Sequence, residues 1–222
     1  MSLGPPRPSA LLFDLDGTLV DSRRDIAVAC NFARADHGLP PLAFEEIMSM
    51  VGDGARLLVT RAFALEPGAP MIEGALASFS ARYLAAPCLY TTLLPGAHEL
   101  IAAARAAKLR SAIVTNKPRD VTLAVLSALG IEAFFEMVWA GGDGPLKPSP
   151  AGLQAAIARF GVEPAATWMI GDGPQDVGAG RAAGCFTIGI PGIAERERLL
   201  ASAPDLVCES LHEVHDVLRA TA

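Results

Sequence analysis

Residues 9–16 form a short apolar run that ends in two aspartates, the pattern of a strand buried on both faces with its polar groups at one end. From residue 21 to about residue 86 the rhythm becomes helical. DSRRDIAVACNFARADHG opens on Asp21 or Ser22, both good N-terminal caps, and stops at Gly38. PLAFEEIMSMVG, GARLLVTRAFAL and MIEGALASFSARYLAA follow, each apolar on one side and bounded by Gly or Pro. No strand is evident there, which predicts a small helical insert.

After Gly96 strands and helices alternate. A helix is expected at 98–107, a strand at 110–115, and a helix at 119–129 between Pro118 and Gly130. A strand at 137–141 and a helix at 150–160 come next, then a strand at 167–170 that runs into Gly171 and Asp172. A helix at 176–183, strand CFTIGI, a loop, strand DLVC and a terminal helix complete the chain. This order predicts an α/β fold with a parallel sheet covered on both faces. The expected architecture is a doubly wound, Rossmann-like core (1–19 and 95–222) with an inserted helical cap domain (20–94). The opening MSLGPPRPSA reads as a disordered lead-in and has no apolar run of the secretory type. GAGRAAG resembles a dinucleotide loop but stands late in the chain, where close helix packing explains its glycines better. AERERLL reads as a solvated face.

The 222 residues suffice for one large domain, or one with a smaller insert, and 51% apolar content supports a sizeable core. A net charge of -6 argues against a general nucleic-acid binder, so any phosphate site must be local. No stretch approaches the roughly 18–20 apolar residues of a membrane span. Cys30, Cys88, Cys185 and Cys208 are too dispersed for a zinc site or disulfide framework, and the expected compartment is the cytoplasm.

In a doubly wound sheet, ligands bind beyond the C-terminal ends of the strands. The first strand delivers Asp14 and Asp16 there, the second Thr115, Asn116 and Lys117, a later loop Lys147, and the fourth strand Asp172 and Asp176. Singly, each of these reads as an ordinary turn, strand or surface residue. Together they place four carboxylates, a hydroxyl and two of the chain's three lysines on one edge. Hard oxygen ligands suit Mg²⁺, and lysines suit the remaining charge of a phosphate.

These motifs resemble the haloacid dehalogenase superfamily, in its phosphatase branch with a helical cap after the first strand. The resemblance rests on Asp14-Leu15-Asp16-Gly17-Thr18, Thr115 in IVTNK, Lys147 in LKPSP, and Gly171, Asp172 and Asp176 as G-D-x-x-x-D. It implies Asp14 as nucleophile forming an aspartyl-phosphate, and Asp16 as the acid and then the base. It implies Mg²⁺ held by Asp14, the Asp16 backbone carbonyl and Asp172, with Asp176 behind them. Thr115, Asn116 and Lys147 would contact the substrate. Gly173 departs from the pattern, since many relatives carry Ser there.

Asp16 argues against a dehalogenase, which lacks this second aspartate. No lysine lies between Val20 and Leu94, which argues against phosphonate hydrolysis through a cap Schiff base. A sugar-phosphate mutase would carry a His near Ile26, whereas His37 stands at the far end of that helix. A phospho-receiver module, the rival of another class, has no insert after its first strand. MVGDGARLLVTRAF looks most like the phosphoglycolate phosphatase group, with Gly52 and Arg56 as substrate contacts; VGDGA equally reads as a turn and helix start capped by Asp53. The expected partner is a small phosphorylated metabolite, with neither nucleic acid nor membrane involved, and no oligomeric interface is legible.

Overall fold

The protein is described by a computed structural model over residues 4–192 and 196–221. The chain begins with β1 (Ala10–Phe13) and β2 (Val20–Asp21), then passes through α1 (Arg23–Asp36), α2 (Phe44–Met48), α3 (Ala55–Ala62) and α4 (Met71–Ala85). It returns through β3 (Thr92–Leu93) and α5 (Ala97–Ala106) to β4 (Arg110–Pro118), α6 (Arg119–Ala128) and β5 (Met137–Gly141). The last part holds α7 (Ala151–Phe160), β6 (Thr167–Gly171), α8 (Pro174–Ala183), β7 (Phe186–Gly189), α9 (Arg196–Ala201), β8 (Leu206–Val207) and α10 (Leu211–Ala220).

Six strands form one parallel sheet in the order β5-β4-β1-β6-β7-β8. The strand with two aspartates after it is therefore central, between β4 and β6. Its side chains alternate between two cores, as a pleated strand requires. Leu11 and Phe13 join α5, α6 and α10 on one face, while Ala10 and Leu12 join α7 and α8 on the other. Wrapping both faces leaves the C-terminal edge as the place where polar side chains can emerge.

The expected α/β architecture and helical insertion are present, with instructive differences. β1 stops at Phe13, short of the aspartates, because the chain turns sharply: the N–H groups of Thr18, Leu19 and Val20 all donate to the Leu15 carbonyl. β4 runs past Thr115 to Pro118, with a shift in its pairing to β5. The insertion begins and ends in strands that the sequence did not signal. β2 and β3 pair antiparallel, Val20 opposite Leu93, but two residues each are too few to show a period. Asp25 fixes the return segment from inside, accepting from the N–H groups of Tyr90 and Thr91 and from the Thr91 hydroxyl.

The lead-in is not loose where it is described: Pro8 is buried and the Trp168 indole donates to the Pro6 carbonyl at 3.0 Å. Its first three residues lie outside the described ones, as do Ala194 and Glu195 of AERERLL. The rest of that stretch belongs to α9, where Leu199 is buried and only part of the face is solvated.

GAGRAAG packs a helix, as its position in the chain suggested. A Cβ on Gly180 would stand 2.5 Å from Thr187 Cγ2 and 3.1 Å from Met169 Cβ, so α8 lies directly on β6 and β7. Gly180→Val should therefore lower stability by about 2 kcal/mol or more, a fall of several degrees in Tm. An unchanged Tm in thermal unfolding would mean that α8 can lift away without cost.

Candidate active site

Adjacent strands bring the polar groups together. β1 leads into Asp14, β4 carries Thr115, and β6 leads into Asp172, all at the C-terminal edge. Gly17 makes the turn after β1 possible: its φ is +85°, and a Cβ there would collide with the Asp172 carboxylate. The Thr18 hydroxyl then donates to Asp172 at 3.1 Å.

Carboxylate oxygens of Asp14, Asp172 and Asp176 lie within 4.8 Å of one another. Lys147 Nζ reaches Asp14 at 2.7 Å and Asp176 at 2.5 Å, but makes no ion pair with Asp172. The second oxygen of Asp176 accepts from the Gly173 N–H at 3.0 Å, capping α8. A Ser at position 173 is not needed for that bond, because the acceptor is the aspartate and the donor is backbone. Burial, reinforced by Asp176, raises the Asp14 pKa to about 6 against the pull of Lys147. Burial raises that of Asp172 well above the carboxylate range, with Asp14 and Asp176 adding repulsion. Three carboxylates against one ammonium leave an excess of two negative charges when all are ionised. Such a set fits a hard divalent cation.

Asp16 keeps different company. It lies two residues from Asp14, yet its carboxylate turns to Lys117, whose Nζ sits 3.0 Å from both oxygens. Ser22 donates its hydroxyl to Asp16 at 2.6 Å, so this residue, one of the two expected to cap α1, stands at the N-cap without a side-chain cap bond. Lys117 Nζ also donates to the Tyr83 hydroxyl at 2.9 Å. Burial works against the Lys117 charge, but Asp16 and Tyr83 outweigh it and push the pKa up to about 12. The sequence put Lys117 at the right strand end; the partnership with Asp16 and with Tyr83 of α4 had no sequence signal.

Between the sheet edge and the insertion lies a cavity of about 480 Å³. Asp14, Asp16, Thr115, Lys117, Lys147 and Asp172 line its floor, while Ile26, Met48, Val51, Leu58 and Phe79 form an apolar wall. Gly52 also lines it, and its carbonyl accepts from Asn116 Nδ2 at 3.2 Å. Asn116, expected to contact substrate, spends its amide mainly on Lys147, taking that residue's N–H at 2.8 Å and donating to its carbonyl at 3.0 Å. Asn116 thus fixes the loop that carries Lys147. Gln175 Nε2 donates to Asp53 at 2.8 Å, so the Gly52–Gly54 turn is tied to α8 as well as to β4.

Arg56 is not brought to the cavity. It pairs with Glu73 at 2.8 Å on the exposed surface, because α3 turns this side chain outward. His37 packs edge-on against Phe63 and is not among the cavity's lining residues. All four cysteines are free, and Cys30, Cys185 and Cys208 are buried. No helix among the described residues is long and apolar enough to cross a membrane.

A doubly wound sheet with a helical insertion after its first strand, and clustered aspartates at its C-terminal edge, defines a haloacid dehalogenase-like hydrolase. The chain matches that family over residues 8–184 and belongs to it. A phosphoglycolate phosphatase of Chromobacterium violaceum is 37% identical over 216 residues, spanning 95% of this chain and 96% of that protein. One from Rhodospirillum rubrum is 38% identical over 187 residues, 80% of this chain and 77% of the relative. The crystal structure of a predicted phosphoglycolate phosphatase from Haemophilus somnus superposes with a TM-score of 0.88 at 30% identity, covering 99% of this chain and all of that one.

Proposed function

We propose that this hydrolase is a Mg²⁺-dependent phosphatase of small phosphate monoesters and that 2-phosphoglycolate is its preferred substrate. The observation that carries the reading is the separation of the two aspartates. Asp14 stands with Asp172, Asp176 and Lys147, whereas Asp16 stands with Lys117, Ser22 and Tyr83. Carboxylates in such different surroundings suit different tasks. The named relatives support the substrate.

Asp14 attacks phosphorus, forming an aspartyl-phosphate as the bond to the leaving oxygen breaks. Asp16 protonates that leaving alkoxide, then takes a proton from the water that attacks the aspartyl-phosphate, freeing inorganic phosphate and Asp14. Lys147 and the Thr115 hydroxyl hold phosphoryl oxygens as charge shifts among them. Asn116 keeps the Lys147 loop in register through its amide. Mg²⁺ would be held by the carboxylates of Asp14 and Asp172 with the Asp16 backbone carbonyl, and supplies the shielding that lets a carboxylate approach a phosphate. Asp176, engaged at both oxygens, orients this group from behind. The apolar wall of the cap excludes water from the reacting atoms. No histidine is among the cavity's lining residues, which favours hydrolysis over a mutase.

Phosphate release should require Mg²⁺ and vanish with EDTA. Across a panel of small esters, kcat/KM should be highest for 2-phosphoglycolate. Equal rates with ethyl phosphate and glycerol phosphate would remove the substrate assignment and leave the phosphatase.

A further inference from the structure

The cavity poses a charge problem at its leaving-group end. A leaving group that carries a carboxylate must bury a negative charge against the wall of Ile26, Met48, Val51, Leu58 and Phe79. An unpaired charge there is strongly disfavoured. Among the described residues, the cations lining the cavity are Arg23, Lys117 and Lys147. Lys147 belongs to the other end, between Asp14 and Asp176. Arg23 is gripped by Asp21 through two bonds of 2.8 and 2.6 Å, its side chain half exposed. Arg56 points away toward Glu73.

Lys117 remains, and its placement is specific. Its side chain is 4% exposed, and its Nζ touches the carboxylate assigned to protonate the leaving oxygen. In 2-phosphoglycolate a single methylene separates that oxygen from the carboxylate, so the two groups arrive at neighbouring positions. From the cap, Tyr83 steadies the ammonium with its hydroxyl at 2.9 Å and its ring at 4.2 Å from Nζ.

We propose that Lys117 is the specificity residue of this enzyme, pairing with a carboxylate carried on the leaving group of the substrate. The proposal rests on the reading above and adds the residue that enforces it. Without substrate, Asp16 and Tyr83 occupy the ammonium's donors. When substrate enters, Asp16 turns to the leaving oxygen, and the donor it releases meets the substrate carboxylate. Tyr83 keeps the amine in place throughout. A neutral leaving group of the same size leaves that donor unused, and discrimination follows from the missing partner.

The test separates carboxylate recognition from any effect on Asp16 by using ligands with no leaving oxygen. 3-Phosphonopropionate replaces the ester oxygen of 2-phosphoglycolate by a methylene, and propylphosphonate is its neutral counterpart. With Mg²⁺ present, calorimetry on the wild-type protein should show the carboxylate ligand binding at least about tenfold tighter. Lys117→Met should erase that difference while propylphosphonate binds as before. In turnover, Lys117→Met should cost about a hundredfold in kcat/KM for 2-phosphoglycolate and less than about tenfold for ethyl phosphate. Thermal unfolding checks that the variant is folded, and Lys117→Gln takes its place if it is not. A preference for the carboxylate ligand that survives in a folded variant overturns the proposal. So does an equal loss on both esters, which would place Lys117 behind Asp16 alone. A wild-type protein indifferent to the carboxylate overturns the substrate reading itself, and the two failures are thereby told apart.

Discussion

Asp14→Asn should leave the protein folded and reduce kcat by at least about 10⁴-fold, because the amide has the shape of the carboxylate without the nucleophilic oxygen proposed for it. Lys147 keeps Asp176 as a partner at 2.5 Å, so the substitution does not strand a buried ammonium. Removing a carboxylate whose burial already disfavours its charge should, if anything, raise the melting temperature of the metal-free protein. The measurement pairs phosphate release with trapping of the phosphorylated enzyme. Turnover within tenfold of wild type, or a phosphorylated variant, would remove Asp14 from the chemistry.

Asp172→Asn should separate the proposed metal binding from folding. In the metal-free protein the Asp172 carboxylate has the Thr18 hydroxyl and, among the described residues, no ion-pair partner, while Asp14 and Asp176 repel it more than Lys147 attracts it. Neutralising it should stabilise that state by about 1–3 kcal/mol, or several degrees in Tm. The same substitution should abolish the Mg²⁺-dependent rise in Tm and lower kcat/KM by at least about 10³-fold.

A pH dependence accompanies this result, and its sign follows from the folded-state values. The Asp14 pKa lies above its unfolded value, about 6 against 3.8, and that of Asp172 is also raised. The folded metal-free protein therefore holds protons that the unfolded chain has lost. The stability from Asp14 is fully present below pH 3.8 and is lost as pH rises through about 6, and that from Asp172 is likewise lost as pH rises through its own raised value. Thermal unfolding in EDTA should show Tm falling across that window, with a shallower fall in Asp172→Asn and in wild type with Mg²⁺. A Tm in EDTA that rises steadily from pH 4 to 7 would contradict the charge balance drawn for this cluster.

Most of the fold was legible because its cues are local. The apolar run before Asp14, the alternation of helix and strand after Gly96, and the stops at Gly38, Gly130 and Gly161 are short-range patterns. Strand limits were less legible. β1 ends early because Leu15 gathers three backbone donors, and β2 and β3 exist only as partners of each other. Chemistry-bearing residues were readable because each strand end offers only a few positions, and polar types recur there. Arg56 shows the limit of that reasoning. A cation near a glycine turn suggests a ligand contact, but the direction of a helical side chain depends on which face the helix buries.

By itself the sequence determined the class of fold, the residues available at the strand ends and the kind of chemistry they can perform. These follow from residue type and short-range order. The tertiary structure alone decided which charges meet. Asp14 and Asp16 are two positions apart, yet the lysine that meets one comes from position 147 and the lysine that meets the other from position 117. Only folding brings such distant groups within a few ångströms, where burial makes each pairing count. That pairing gives two neighbouring aspartates separate surroundings, and it places a lysine where a substrate's second charge would arrive.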